Sequence, residues 1–147
     1  MKILLIALLV VISSCSLFTG FKRDTFSYTA NNTAQTLSLK VPAGYSRVEN
    51  GLDSAGNRQQ VYYYASGSVL YFRHTVSLDD MMGIDTASNK PSQHPAGGWL
   101  YKGFDKKATY WKEYVSDSLR FGYKNVPYGY EAAFDSSINY AGYQKRR

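Results

Sequence analysis

The side chains best suited to chemistry in this chain are its two histidines, His74 and His94, and the aspartates Asp79, Asp80 and Asp85. The histidines do not stand in the H-x-x-H or H-E-x-x-H spacing that holds zinc, and the sequence has no G-x-S-x-G motif around a nucleophilic serine. The aspartates lack the alternating pattern and the downstream acidic ligand of a calcium-binding loop. Glycine-rich phosphate-binding motifs are also missing. The sequence therefore predicts no catalytic residue, no metal site and no cofactor, and we expect a protein that is not an enzyme.

The only cysteine, Cys15, stands directly after a segment typical of protein export. Lys2 precedes an unbroken apolar run, Ile3–Ile12, and the small residues Ser13 and Ser14 follow it. The ten residues of this run match the apolar part of a signal peptide but reach only about half the length that a membrane-spanning helix needs. Since no second cysteine is present to form a disulfide, this thiol is better placed for modification than for a structural bond.

The order of these residues resembles the signal of a bacterial lipoprotein, with Ile12-Ser13-Ser14-Cys15 as its lipobox. The resemblance implies that the Cys15 thiol takes a diacylglyceryl group, that cleavage occurs before Cys15, and that the new amine is acylated with a fatty acid such as palmitate. Several acyl chains, each worth about 0.8 kcal/mol per buried CH₂, would hold the protein firmly in a bilayer. Ser16 is not an aspartate, which by the same resemblance directs the protein to the outer membrane of a Gram-negative bacterium.

This interpretation divides the chain into a signal peptide at 1–14, a lipidated tether at 15–24 and a single β-rich domain at 25–147. Two alternatives are an ordinary secretory signal, cut near Ser13 or Ser14, and an N-terminal anchor that is never cut. The short apolar run argues against the uncut anchor, and the lone cysteine argues against the ordinary signal.

An aromatic hairpin is predicted between Gln59 and Val76, with Ser66-Gly67 as a two-residue turn. This turn places a first set of side chains on the core face: Val61, Tyr63, Leu70, Phe72 and Val76. The opposite face then carries a second set: Tyr62, Tyr64, Val69, Tyr71 and Arg73. A tyrosine gains little from facing water unless a ligand or another element covers it, so the sequence predicts a possible binding face of Tyr62, Tyr64 and Tyr71. The alternative cover for these rings is a stripe on a C-terminal helix, formed by Tyr130, Phe134 and Ile138.

Alternation of apolar and polar residues recurs through most of the chain at 25–126, which is the period of half-buried strands. A turn at Ser116-Asp117 would pair Glu113 with Arg120 across two of these strands. Toward the C-terminus the apolar period changes to four, with Gly142 placed to end a helix. These patterns predict an α+β fold, mainly an antiparallel sheet of about seven or eight strands with a short C-terminal helix. An all-β sandwich or barrel is the alternative.

These features together favour a lipid-anchored cell-envelope protein that acts as a binding or accessory component of an envelope assembly. We expect it to meet the membrane through Cys15 and to bind either an envelope protein or a glycan, and a glycan- or peptidoglycan-binding module is the main alternative. The abundance of aromatic residues, with 14 tyrosines and 2 tryptophans, supports the glycan alternative because flat rings stack on sugar rings. A hydrolase that uses His74 or His94 is the third hypothesis. The formal charge of +6 is mild and spread along the chain, so we expect no nucleic acid partner.

Overall fold

A computed structural model describes residues 20–75, 90–105 and 107–144 of the chain. The described residues form nine strands and one helix. The strands are β1 (Phe21–Ala30), β2 (Thr33–Pro42), β3 (Tyr45–Leu52), β4 (Arg58–Tyr64), β5 (Val69–His74), β6 (Ser92–Gln93), β7 (Trp99–Phe104), β8 (Thr109–Ser116) and β9 (Leu119–Pro127). The helix is α1 (Glu131–Gln144).

Strands β1 and β2 form a separate two-stranded hairpin. Its turn residues Asn31 and Asn32 both have positive φ angles, 51° and 59°, which asparagine tolerates better than most residues. Strand β1 begins at Phe21, inside the segment that the sequence assigned to the tether, because 21–24 pair with 39–42 of β2. Residues 21–24, which the sequence assigned to the tether, are therefore part of a strand, and the charged residues at 22–24 lack the apolar alternation that would have predicted it.

Strands β3 to β9 form an open, antiparallel seven-stranded sheet in the order β3-β4-β5-β9-β8-β7-β6. Together with α1, this sheet confirms the predicted mainly antiparallel fold with a short C-terminal helix. The sheet does not close on itself, because β3 and β6 stand at its two edges among the described strands, so the barrel alternative is wrong. The hairpin β1–β2 and helix α1 cover one face of the sheet, which we call the inner face, and the main core lies between these two layers.

The predicted register of β4 against β5 is wrong by one residue. In the structure Tyr62 lies opposite Leu70, and Gly67 is the last residue of a three-residue loop at 65–67. The Gly67 N–H donates to the Tyr64 carbonyl at 2.9 Å, and Gly67 has a φ of +82° that favours glycine. This one-residue shift exchanges faces on β4, because neighbouring side chains of a strand point to opposite sides. The inner face therefore carries Tyr62, Tyr64, Leu70 and Phe72, and the outer face carries Val61, Tyr63, Val69 and Tyr71. Val76 lies outside the described residues.

The turn between β8 and β9 also differs from the prediction, but without changing the faces. Residues 117–118 form the loop, so Glu113 lies opposite Gly122 instead of Arg120. The register moves by two residues, which preserves the side of every residue on β9. Gly122 is required at its position because any side chain there would collide with the ring of Tyr71.

Helix α1 packs mainly against β2 and more lightly against β9 and β8. Its buried stripe contains Phe134, Ile138 and Ala141, as the four-residue period predicts. Gly142 does not end the helix, which continues to Gln144. A Cβ at Gly142 would lie 3.5 Å from the His94 ring, an ordinary van der Waals contact, so the space there does not require a glycine. In the part of the chain that the structure describes, no helix has the length and apolar character needed to cross a membrane.

Candidate functional site

The predicted binding face of Tyr62, Tyr64 and Tyr71 does not form a common surface. Tyr62 and Tyr64 lie in the main core on the inner face, whereas Tyr71 lies on the outer face, and all three are at most 5% exposed. The Tyr64 ring meets Phe134 of α1 at 5.1 Å between centroids, so the helix provides the alternative cover that the sequence allowed for. These three rings are therefore structural in the free protein.

Each inner-face tyrosine also has a hydrogen-bond partner. The Tyr62 hydroxyl donates to Asp24 Oδ2 at 2.6 Å, and the Tyr64 hydroxyl donates to the Pro42 carbonyl at 2.9 Å. Burial raises the pKa of Tyr62 above its ordinary value, and the nearby Asp24 carboxylate raises it further. Burial alone is the main cause of the raised pKa of Tyr64. Both phenols therefore stay protonated and act as donors that fix the hairpin β1–β2 to the sheet.

The outer face of the sheet contains buried charged groups. Arg73 forms an ion pair with Asp53, and both side chains are less than a tenth exposed, at 7% and 8%. Glu113 and Arg120 are also buried on this side. Burial raises the pKa of Tyr71 well above its ordinary value, and the adjacent Glu113 carboxylate adds to the rise. These groups are enclosed, so they offer no accessible site.

His94 has a structural environment. Its Nδ1 accepts a hydrogen bond from the Ala96 N–H at 3.0 Å, and its Nε2 lies 3.2 Å from Asn139 Oδ1. The neutral tautomer that carries its proton on Nε2 satisfies both contacts. The imidazole also packs against Tyr114 of β8 with a centroid distance of 4.8 Å. Through Asn139, His94 connects the turn before β7 to helix α1.

His74 is only half-buried, and it stacks on Tyr28 with 4.8 Å between ring centroids. Burial lowers the pKa of His74 below its ordinary value. Within 20–75, 90–105 and 107–144, no serine or carboxylate is hydrogen-bonded to either imidazole. The same ranges contain no group of three histidine, cysteine, aspartate or glutamate residues that could hold a metal ion. Cys15, Asp79, Asp80 and Asp85 lie outside the described residues.

The structure reveals an accessible aromatic site where β7 and β8 extend beyond the cover of helix α1. We call it the aromatic groove, a concave region of about 420 Å³ lined by Lys102, Gly103, Phe104, Tyr110, Trp111, Lys112, Tyr123, Glu131 and Asp135. The rings of Phe104 and Tyr110 are 4.9 Å apart, and Tyr128 lies 6.3 Å from Tyr110. Phe104 is 57% exposed and Tyr128 is 77% exposed, so two of these three rings are largely open to water.

Charged groups from the sheet and the helix meet in the same groove. Asp135 Oδ1 accepts hydrogen bonds from Lys112 Nζ at 2.5 Å and from the Tyr123 hydroxyl at 2.8 Å. Both contacts use the same carboxylate oxygen, which leaves Oδ2 as a further acceptor among the described residues. Glu131, in the first helical turn, has a buried Oε2 without a hydrogen-bond partner in the described part of the chain. Burial first, and then the Asp135 and Glu131 carboxylates, raise the pKa of Tyr123 above its ordinary value.

Sequence patterns do not identify the aromatic groove, because it forms from residues that are distant in the chain. The alternation along β8 does give one signal, since Lys112 falls on a face that is otherwise apolar and aromatic. A lysine there indicates a position that is not fully covered. Comparison of the chain with protein-family models, with curated proteins and with solved structures gives no match. A function for this chain therefore has to be inferred from the residues that line the aromatic groove.

Proposed function

We propose that this chain is a lipid-anchored binding protein of the cell envelope, and that the aromatic groove binds a saccharide such as a segment of peptidoglycan. The supporting observation is the meeting of exposed rings and charged groups in one concavity at Phe104, Tyr110, Lys112 and Asp135. Its volume of about 420 Å³ is within the range of small-molecule sites in proteins.

A sugar presents two kinds of surface, and the groove has groups for both. The apolar C–H face of a sugar ring can stack on the Phe104 ring, which is accessible in the free protein. Sugar hydroxyls can donate to carboxylate oxygens of Asp135 and Glu131 and accept from Lys102 or Lys112. The groove contains both ammonium and carboxylate groups, so its local charge is balanced, which suits an uncharged or zwitterionic ligand better than a polyanion.

Membrane attachment at Cys15 is the second part of the proposal, and the start of the domain is consistent with it. Gly20 is the first described residue, and the five Cα–Cα steps from Cys15 to Gly20 span at most about 18 Å when fully extended. The adjacent end of β1–β2 exposes Phe21, and the Lys40 ammonium lies 4.1 Å from the centre of its ring. An exposed ring with cations beside it favours the interface of a bilayer that has anionic headgroups.

The saccharide site is tested by measuring retention of the full chain on isolated peptidoglycan and its affinity for soluble peptidoglycan fragments. Phe104→Ala should weaken binding about tenfold with little change in melting temperature, because it removes an exposed stacking surface. Trp99→Ala is a matched control, since Trp99 is 51% exposed but lies on the opposite face of the same strand. Equal losses in both variants, or a loss only in the Trp99 variant, would exclude the groove as the site.

The anchor is tested separately by metabolic labelling with an acyl chain. Cys15→Ser should abolish the label and leave the apolar segment Ile3–Ile12 uncleaved, because the modified thiol is missing. If parent and variant carry the same label, the lipoprotein interpretation is wrong, and the saccharide proposal is still open to its own test.

A protein partner is a second candidate, supported by the exposed edge strand β3. Among the described strands, β3 has a neighbour on one side only, and Val48 and Leu52 are 39% and 68% exposed. Its free backbone groups can pair with a strand of another protein. A photo-crosslinking residue at Val48 should then trap a specific envelope protein, while the same residue at Trp99, on the far half of the sheet, should not.

A further inference from the structure

A second concave site lies around Arg58 and His74. It is near the turn of the hairpin β1–β2, at the far end of β1 from Phe21. We call it the Arg58–His74 groove, a region of about 510 Å³ lined by Ser27, Tyr28, Thr29, Ala34, Leu52, Ala55, Gly56, Asn57, Arg58 and His74. Arg58 and His74 are direct cross-strand partners on β4 and β5. They share the inner face with the core, but both remain partly exposed.

A hydrogen bond orients the guanidinium of Arg58, but no carboxylate among the described residues pairs with its charge. Its Nε donates to the Ser27 carbonyl at 3.2 Å, which fixes the side chain against β1. Among the described residues, the two terminal nitrogens have no hydrogen bond and no carboxylate partner. Asp53, in the loop between β3 and β4, is engaged by Arg73 and Asn57. The lining of the groove contains no aspartate or glutamate.

The imidazole of His74 stacks on the ring of Tyr28. It lies against Tyr28 with an interplanar angle of 27°, and neither ring nitrogen has a hydrogen bond to a described residue. In the described part of the chain, three charged or titratable groups lie near it: Arg58 on β4, Tyr28 on β1, and Asp117, which lines a neighbouring groove together with His74. Because the imidazole is half-exposed, its ring nitrogens are open to the groove, and an acceptor there can bond one of them.

We propose that the Arg58–His74 groove binds the anionic group, phosphate or carboxylate, of a small ligand. Arg58 supplies two parallel N–H donors, which match the geometry of an oxyanion. His74 supplies a further donor from the neighbouring strand of the same lining. The site is separate from the aromatic groove, since the two linings share no residue.

Protonation of His74 should accompany anion binding. Partial burial disfavours imidazolium in the free groove, and a bound anion opposes that effect. Because a bound anion raises the pKa of His74, we expect binding to be about tenfold tighter at low pH than at high pH. Affinity should therefore increase as the pH falls from about 8 to about 5.5.

Proton NMR of the full chain in detergent micelles provides the test, because the chain has only two histidines and His94 is an internal control. The probes are sodium sulfate, which keeps its charge over this pH range, and sodium acetate, each compared with sodium chloride at equal ionic strength. We expect a saturable shift of the His74 ring signal and a higher His74 titration midpoint, with no movement of His94. A response to sulfate alone supports a phosphate ligand, and a response to acetate alone supports a carboxylate.

Two variants complete the test. Arg58→Gln should weaken binding about tenfold or more, because it removes the charged donors, whereas Arg47→Gln, which alters a surface ion pair with Glu49, should not. His74→Gln should bind at every pH as the parent does at about pH 8. The proposal is overturned if neither anion gives a response beyond that of chloride, or if Arg58→Gln binds as tightly as the parent while its melting curve is unchanged.

Discussion

Replacing Phe134 should destabilise the domain partly through Tyr64, because their rings form the contact between helix α1 and strand β4. Phe134 is fully buried, and its ring lies 5.1 Å from Tyr64 and 5.5 Å from Tyr123. Truncation of a buried phenylalanine to alanine costs about 3–5 kcal/mol. An aromatic pair contributes about 0.5–1.5 kcal/mol beyond the area that it buries, and this part depends on both rings.

A double-mutant cycle isolates the shared part of the free energy. Alanine at both positions would remove much of the total stability, which is about 5–15 kcal/mol for a domain, so leucine is the better substitution. We expect Phe134→Leu and Tyr64→Leu to cost about 1–3 kcal/mol each. The double variant should be less destabilised than the sum of the two by about 0.5–1.5 kcal/mol. Tyr64→Phe keeps the ring and reports separately on the hydrogen bond to the Pro42 carbonyl, worth about 1 kcal/mol.

Urea unfolding of the full chain in detergent, followed by near-ultraviolet circular dichroism, measures each free energy of unfolding. Val69 is the control partner for Phe134, because it is a buried residue of the same hairpin on the outer face of the sheet. Val69→Ala and Phe134→Leu should be additive within about 0.5 kcal/mol. Additive costs for Tyr64 and Phe134 would refute the argument that the helix covers this part of the sheet through the aromatic contact.

Two further predictions concern the core and the pH dependence of stability. Leu70→Ala and Phe72→Ala should each cost about 2–5 kcal/mol in denaturant unfolding, because both are fully buried in the main core, whereas Val69→Ala should cost less than about 1.5 kcal/mol. A loss at Val69 as large as that at Leu70 would show that both faces of the sheet are equally packed. For His74, the folded pKa is lowered, so the unfolded chain takes up the proton first and stability should fall as the pH drops below about 6.5. Melting temperatures measured across this pH range should fall less steeply in His74→Gln, and an unchanged slope would contradict this assignment.

The sequence predicts the fold class well because the responsible signals are local. Alternation along β7 and β8, and the four-residue period that places Phe134 and Ile138 on one helical stripe, depend only on neighbouring residues. The register of β4 and β5 is less secure, because it depends on the number of residues in the loop. A glycine at position 67 is compatible with either a two-residue or a three-residue loop, and the difference exchanges the faces of Tyr62 and Tyr63.

The candidate sites were not predictable for a different reason. The aromatic groove needs Phe104 of β7 and Asp135 of α1 to lie together, and nothing local to either residue specifies that meeting. The predicted binding face of Tyr62, Tyr64 and Tyr71 does not form, and its residue types could not show this because tyrosine occurs both in cores and at binding surfaces. Tyr62 and Tyr64 lie in the core, where their hydroxyl groups donate hydrogen bonds to Asp24 and Pro42. Both partners belong to the hairpin β1–β2, and sequence periodicity cannot identify them.

The position of the Arg58–His74 groove relative to the proposed anchor follows from the length of β1. Phe21 is at the tether end of this strand, and Tyr28, which stacks on His74, is near the other end. Seven residues of extended strand separate these two positions, a distance of about 24 Å. If acyl chains on Cys15 hold the tether end at the bilayer, the groove lies on the side away from the membrane. An anionic ligand would therefore reach it from the aqueous phase, so soluble anions are the appropriate probes for this site.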